Sequence, residues 1–382
     1  MSSSTGYGPK LDPIALQKVL DHVMARNAQI AEAGGGKPNS RGTPLCIWGS
    51  HGLGKTQLVQ DYARSKGWVF AYCAPAQFEE MGDLHGIPSM HDPTPDQPNS
   101  GDEITIFAPP EWVPKEKGPG ILLLDDINRA DDRILRGIMQ LLQNFAMFSW
   151  QLPDQWQIVA TANPEGASYS VTSMDDAMLT RMLHFTLVFD AKAWAKWASS
   201  AGVDPRGIAF VLNYPETVTG KRTTPRTLAQ FFEQIQEIKD LKAQIELVAA
   251  LAASVLDETT VAAFVSFVND ELTDLLDPAE ILGATSASVW TARFVELTKA
   301  KDGGKRVDRI AAICTRMFLH VTSKNYKPAP GHTENFAEFL LHEAIPNDLR
   351  ISFMMDLSRH PSEVARAVLK DTRIAKLLLE KL

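Results

Sequence analysis

The sequence predicts an α/β fold built on a parallel sheet in its first half, followed by an all-α second half. Three observations carry that prediction. Five short apolar runs alternate with stretches of helical periodicity, a glycine-rich segment joins the first run to a helix, and the strand signal fades after Asp190. The first element, residues 12–33, sets Ile14, Leu16, Val19, Leu20, Val23 and Met24 at the spacing of an amphipathic helix, and GGGKPNSRGTP (34–44) ends it. LCIW (45–48), WVFAYC (68–73), ILLLDD (121–126), QIVATAN (157–163) and FTLVF (185–189) then read as five strands. Helices are expected at about 55–66 and 131–145 between them. Strands buried on both faces and alternating with helices belong to a parallel sheet covered on each side. Residues 75–120, rich in Pro and Gly and containing DPTPDQPNSG (92–101), are too long for an ordinary connection and read as an insertion. Beyond 190 the helices include 226–256, 258–276, 306–320, 334–344 and 361–381.

Composition narrows the function classes. The 382 residues are 45 % apolar and 22 % charged, an ordinary globular composition, long enough for two or three domains at roughly 150 residues each. The longest apolar stretch, Leu247 to Leu256, falls short of the roughly 20 residues of a membrane span, and MSSSTGYGPK lacks a signal-peptide core, so the expected location is the cytoplasm. Cys46, Cys73 and Cys314 are odd in number and widely spaced, which argues for reduced, buried thiols over disulfides or zinc. Residues 1–190 carry 14 basic and 22 acidic groups, residues 191–382 carry 24 of each, and neither half offers the basic footprint a polyanion needs. Nucleic acid is therefore a disfavoured partner.

The sharpest motif is Gly49-Ser50-His51-Gly52-Leu53-Gly54-Lys55-Thr56, a full G-x-x-x-x-G-K-[ST] between a strand and a helix. Its glycines let backbone N–H groups curl around phosphate oxygens, Lys55 neutralises the outer phosphates, and the Thr56 hydroxyl is a ligand for Mg²⁺. His51 occupies a free position of the pattern. ILLLDDINRA (121–130) supplies the partner: Asp125 at a strand end would hold Mg²⁺ through water, and Asp126 would orient an attacking water. Asn163, closing QIVATANPEG, could contact the γ-phosphate or that water, although an Asn-Pro turn is the bland reading. Arg181 in MDDAMLTRMLHF is either a solvated arginine or a finger projected into a neighbouring subunit's ATP, worth about 10³–10⁵ in rate in other systems. Arg226 in TTPRTLAQFF sits in a helix's first turn, where a cation opposes the dipole and a ligand phosphate would explain it. The lone histidines form no H-E-x-x-H, and Trp194/Trp197 and Phe264/Phe267 read as core pairs.

In this order the motifs resemble the AAA+ ATPases, specifically the MoxR-like branch thought to work with von Willebrand factor A-like partners. The likeness rests also on MGDLHGIPS (81–89), PPEWV (109–113), LPDQWQIVATANP (152–164) and FVLNYPE (210–216), and covers 40–235 well. It implies a P-loop AAA+ module with a parallel five-stranded sheet in the order 5-1-4-3-2, an all-α lid and a C-terminal helical region. The implied boundaries are an N-terminal helix to 34, the nucleotide-binding domain at 35–190, the lid at 191–256 and the remainder at 257–382. It further implies that 75–120 lines or guards a ring's central pore, that Asn163 and Arg226 are sensors 1 and 2, and that Arg181 is the arginine finger. ATP and Mg²⁺ would be the cofactors and a hexameric ring the assembly, remodelling a partner protein. The family usually has Glu where this chain has Asp126; one methylene fewer displaces the carboxylate by up to roughly 1.5 Å, so slow hydrolysis is expected. An ATP-gated scaffold with little turnover is the competing function, and a nucleic-acid motor a more distant one.

Overall fold

The computed structural model describes residues 7–34, 41–91, 104–165, 171–269, 276–299, 304–322, 326–360 and 362–374. The chain forms two compact units, 1–190 and 191–382. In the first, β1 (Lys10–Leu11) leads into α1 (Pro13–Ala33), then β2 (Leu45–Trp48), α2 (Lys55–Lys66), β3 (Val69–Cys73), α3 (Met81–His85), and the hairpin β4 (Ile87–His91) and β5 (Ile104–Ala108). These are followed by β6 (Gly120–Leu124), α4 (Asp132–Asn144), the short strands β7 (Ala146–Met147) and β8 (Trp150–Gln151), β9 (Trp156–Ala162), α5 (Asp176–Leu179) and β10 (Leu183–Leu187).

The main sheet is parallel and runs β1-β10-β2-β9-β6-β3. The five expected strands therefore stand in the order 5-1-4-3-2, and the sheet has six strands instead of five because β1 adds itself outside β10, pairing Lys10 with Thr186 and Leu11 with Leu187. Two residues are too few for an alternation pattern to register, so this edge strand left no trace in the hydropathy. Period-two alternation then divides the core. Leu45, Ile47, Ile121, Leu123 and Val159 point to α1 and α2, meeting Leu16, Leu20, Met24, Val59 and Ala63. Cys46, Trp48, Leu122, Leu124, Ile158 and Ala160 point the other way, onto Ile134, Leu135, Ile138 and Leu141 of α4. All three cysteines are free and buried, and burial pushes the Cys73 and Cys314 thiols up to about 12.

Helix ends follow the local chemistry. Asp12 caps α1 by accepting from the Ile14 and Ala15 amides at 2.8 Å, with Pro13 in the first turn, and Asp131 caps α4 through the Ile134 amide at 2.9 Å. The insertion carries α3 and the β4–β5 hairpin, anchored by Trp112, whose indole donates to the Asp83 carbonyl at 2.9 Å and meets Trp150 edge-on. Its segment 92–101 lies outside the described residues.

The second unit comprises α6 (Ala191–Ser200), α7 (Pro205–Asn213), α8 (Pro225–Ile235), α9 (Ile245–Val255), α10 (Glu258–Asn269), α11 (Pro278–Leu282), α12 (Ser288–Thr298), α13 (Val307–Thr322), α14 (His332–Leu341), α15 (Asn347–Ser358) and α16 (Glu363–Leu369). The single helix expected over 226–256 is two helices. The carboxylate of Asp240 accepts from the Ala243 amide at 2.9 Å, one of the local bonds by which short polar side chains compete with the helical ladder. Phe264 and Phe267 are fully buried, Phe264 edge-on to Phe210 and Phe231, and Trp194 is buried as expected. Trp197 is not a core residue; it is 39 % exposed.

Gly120 opens β6 beneath the ring of Trp156. A Cβ there would lie 2.8 Å from the ring carbons, and the ring cannot yield freely because its Nε1 donates to the Glu116 carbonyl at 2.8 Å. Gly120→Ala is expected to lower the unfolding free energy by about 1–3 kcal/mol, the usual cost of overpacking, as measured by urea denaturation.

Candidate nucleotide site

Every strand that contributes to the site is pointed at it by the parallel sheet, which brings the C-terminal ends of β2, β6 and β9 side by side. β2 is buried along its whole length and passes into the loop at Gly49, whose amide donates to the Ala162 carbonyl at 3.2 Å. The loop then turns through Gly52 and Gly54 at φ of 70° and 85°. At Gly54 an added Cβ would meet nothing within 4 Å, so it is the left-handed backbone and not lack of room that calls for glycine. Gly54 offers α2 no side-chain cap, which leaves the first-turn N–H groups of a twelve-residue helix facing the loop. Ser50, His51 and Leu53 are half-buried in the loop, with Leu53 packed against the α2-side core.

Lys55 is 6 % exposed, and its Nζ donates to the Gly49 carbonyl at 2.8 Å, the Ser50 carbonyl at 3.2 Å and Oδ1 of Asn163 at 3.1 Å. An ammonium at the positive end of a helix adds to the field of the N–H groups, and phosphate oxygens are the ligand chemistry that offsets both. Thr56 Oγ1 donates to Oδ1 of Asp125 at 2.8 Å, so the hydroxyl and carboxylate expected to share Mg²⁺ are in contact. Among the described residues no group of three or more His, Cys, Asp or Glu side chains gathers as a metal site. The donor set of one hydroxyl and one carboxylate fits Mg²⁺, which binds through one or two carboxylates together with substrate phosphates.

The rest of the cluster sits between β6 and β9. Asp126 takes a left-handed conformation at φ 48° just beyond β6, and its carboxylate accepts from Nδ2 of Asn163 at 2.9 Å and pairs with Nε of Arg129 at 3.3 Å. Asn163, fully buried, thus reaches Lys55 with its amide oxygen and Asp126 with its amide nitrogen. Lys55, Thr56, Asp125, Asp126 and Asn163 are all brought together. Arg181 stands elsewhere, just past α5, bonded through Nε to Gln143 at 3.1 Å and through Nη1 to the Ala177 carbonyl. Arg226 lies in the helical unit, exposed in the first turn of α8, behind a Thr224–Thr227 capping box.

Three contributors escaped the sequence reading. Thr161, fully buried, donates to Oδ1 of Asp125 at 2.7 Å and accepts from the Asp126 amide at 2.8 Å, joining the two aspartates. Tyr72 donates to Oδ2 of Asp125 at 3.2 Å; burial first, and then the charge of Asp125, push its phenol up to about 12, so it stays a donor at neutral pH. Asn128 exchanges two hydrogen bonds with the Asn163 backbone, at 2.8 and 3.0 Å. The one signal available for Thr161 was its place two residues before Asn163, on the same face of the strand.

Residues 44–182 match the family AAA domain (dynein-related subfamily). The matched stretch begins at the strand before the phosphate loop and ends one residue past Arg181. A curated relative, the ATP-dependent protease ATP-binding subunit-like protein of Rhodococcus erythropolis, is 26 % identical over 131 residues, which are 34 % of this chain and 37 % of the relative. Little more than a third of that relative's length is therefore represented. Among solved structures, a mutant RuvB of Thermotoga maritima aligns at TM-score 0.40 and 12 % identity over 75 % of this chain and 90 % of its own, and the Thermotoga maritima RuvB Holliday junction branch migration motor at 0.38 and 13 % over the same shares. The first unit carries the P-loop AAA+ fold, and its cluster of Lys55, Thr56, Asp125, Asp126 and Asn163 lies within the matched residues.

Because Thr161 serves both aspartates, Thr161→Val keeps the shape and leaves the half-buried Asp126 N–H without its acceptor. The expected loss is about 1–3 kcal/mol of unfolding free energy in urea, most of it regained by Thr161→Ser, which restores the hydroxyl.

Proposed function

We propose that this chain is an Mg-ATP-dependent AAA+ ATPase that works as a ring, a hexamer by the MoxR-like resemblance, and remodels or activates a partner protein. The observation that carries the reading is Asn163, whose single amide joins the phosphate-binding ammonium of Lys55 to the carboxylate of Asp126. Lys55 and the first-turn N–H groups of α2 would bind the outer phosphates. Thr56 and Asp125 would hold Mg²⁺, which when bound neutralises charge on the phosphate oxygens. Asp126, steadied by Asn163 and Arg129, would orient the attacking water and hold its proton. Arg181 would complete a neighbouring subunit's site, and Arg226 would answer to nucleotide from the helical unit, divided into a lid at 191–256 and a C-terminal region at 257–382.

Partner recognition falls, in this proposal, to the insertion and to residues 236–382. The β4–β5 hairpin supports the first assignment, because Ile87, Met90 and Ile104 are exposed on it. A von Willebrand factor A-like protein is the partner that the family resemblance suggests. No helix among the described residues is long and apolar enough to cross a membrane. The alternative of an ATP-gated scaffold rests on Asp126, whose short carboxylate is also paired with Arg129.

Two variants separate binding from turnover. Lys55→Ala is expected to abolish ATP binding in a fluorescent-nucleotide titration with the fold intact, whereas Asp126→Asn keeps parental affinity and loses about 10²–10⁴ in hydrolysis, the usual share of a general base. Parental affinity in Lys55→Ala would overturn the site assignment. Steady-state ATPase with and without the partner distinguishes the motor from the scaffold.

Arg181 is tested by mixing. Inactive Arg181→Ala and inactive Lys55→Ala subunits should together form composite sites with an intact loop and finger, giving activity that neither has alone. Parental hydrolysis by Arg181→Ala alone would refute the finger.

A further inference from the structure

His184, in β10, lies three residues past Arg181 and has been given no role so far, yet it joins the Arg181 turn to the strand before the phosphate loop. Trp48 is the last residue of β2, fully buried, and immediately precedes the phosphate loop. Its indole Nε1 donates to Nδ1 of His184 at 2.8 Å, and Nε2 of His184 meets the carbonyl of Leu179 at 2.7 Å. An indole N–H can only donate and a carbonyl can only accept, so Nδ1 bears the lone pair and Nε2 the proton. Both ring nitrogens are thereby committed. Leu179 is the last residue of α5, two before Arg181, and Met178 and Met182 on either side of it are buried in the α4-side core. The imidazole and indole rings also pack together, at 6.0 Å between centroids, across the β10–β2 pairing in which His184 faces Cys46.

We propose that His184 is a positioning residue that ties the Arg181 turn to the phosphate-loop strand, so that the arginine a subunit offers its neighbour is held in place from that subunit's own nucleotide loop. This rests on the reading of Arg181 as an arginine finger. The link is short and internal: indole, imidazole and carbonyl connect the residue before Gly49 to the residue two before Arg181 without a charged group. Loss of the imidazole leaves the Leu179 carbonyl with the longer bond from the Met182 amide, 3.3 Å, and loosens the turn carrying Arg181, while the loop that binds the subunit's own ATP keeps its glycines, Lys55 and Thr56. The defect should therefore appear in the site across the interface.

The test uses the assembled full-length protein. His184→Phe keeps a ring of similar size and removes both hydrogen bonds. It is expected to bind fluorescent ATP within about twofold of the parent and to lose at least tenfold in kcat at saturating ATP. Mixed with Lys55→Ala, whose arginine is correctly held, it should regain activity above the sum of the two alone, as Arg181→Ala does in the same mixture. His184→Gln, which retains one acceptor and one donor, should recover part of the rate. The proposal is overturned if His184→Phe has parental kcat, if its ATP affinity falls as far as its rate, or if mixing restores Arg181→Ala but not His184→Phe. Should Arg181→Ala itself gain nothing on mixing, the finger reading fails and this inference with it. If thermal unfolding shows His184→Phe to be misfolded, Trp48→Phe, which removes the donor to His184, is held to the same outcomes.

Discussion

The placement of one buried amide governs the candidate site. Asn163 lies at the end of β9, its backbone pinned by the reciprocal bonds to Asn128 and its side chain committed at both ends, to Lys55 and to Asp126. In a low-dielectric surrounding an unpaired amide is costly and a satisfied one is rigid, so a single conformation is strongly preferred. Two side chains, one from the start of α2 and one from just past β6, are consequently held by a third. Any displacement of the phosphate loop that moves the Lys55 ammonium acts on the amide holding Asp126, and the coupling needs no contact between Lys55 and Asp126.

The same economy of means extends through Thr161. Its hydroxyl accepts from one aspartate's backbone and donates to the other aspartate's carboxylate, so Asp125 and Asp126, adjacent in sequence, are held in different surroundings. Asp125 faces the hydroxyls of Thr56, Thr161 and Tyr72, while Asp126 faces Asn163 and Arg129. A carboxylate surrounded by hydroxyl donors keeps an oriented pair of oxygens for a cation. One held by an amide and a partly exposed guanidinium remains open to water. The Asp126–Arg129 pair is exposed enough to add little stability, and its consequence is orientation.

What could be read from the sequence was what is local. The glycines of 49–54, the lysine and threonine that follow, and the aspartates and asparagine at the ends of apolar runs announce themselves because strand, turn and helix start are contiguous. The five long strands were legible for the same reason, and the order of the sheet came from the family resemblance, with β1 too short to be seen. Thr161, Tyr72, Asn128 and His184 were not legible as site residues. Apart from Leu179, five positions before His184, their partners stand 35 to 136 positions away, and those contacts exist only once register is set. Thr161 beside Ile47 in the β2–β9 pairing looks, in sequence, like any polar residue in an apolar strand. Trp197 failed differently, because spacing of three from Trp194 places two side chains on neighbouring parts of a helix without saying how wide its buried stripe is.

Asp126 shows how a backbone constraint changes the meaning of a side chain. Judged by length alone, an aspartate where the family usually has glutamate places the carboxylate too far back. The structure adds that the residue sits at φ 48°, where the chain leaves β6 and turns at once into residues 127–129, with its amide drawn toward Thr161. Left-handed backbone costs an ordinary L-residue roughly 1–2 kcal/mol, and Asp and Asn, whose short polar side chains bond locally, enter it more readily than longer residues do. Arg129, three residues on, supplies a local partner of this kind, and Asn163 adds a bond from 37 positions away. The shorter side chain is therefore favoured by the turn and disfavoured by reach, and the two effects act on different quantities: the first on the stability of the strand end, the second on the distance to a phosphate-bound water. A longer carboxylate would improve the second at the expense of the first, so in the proposed role of Asp126 the conformation of residue 126 would count for the rate as much as the number of its methylenes.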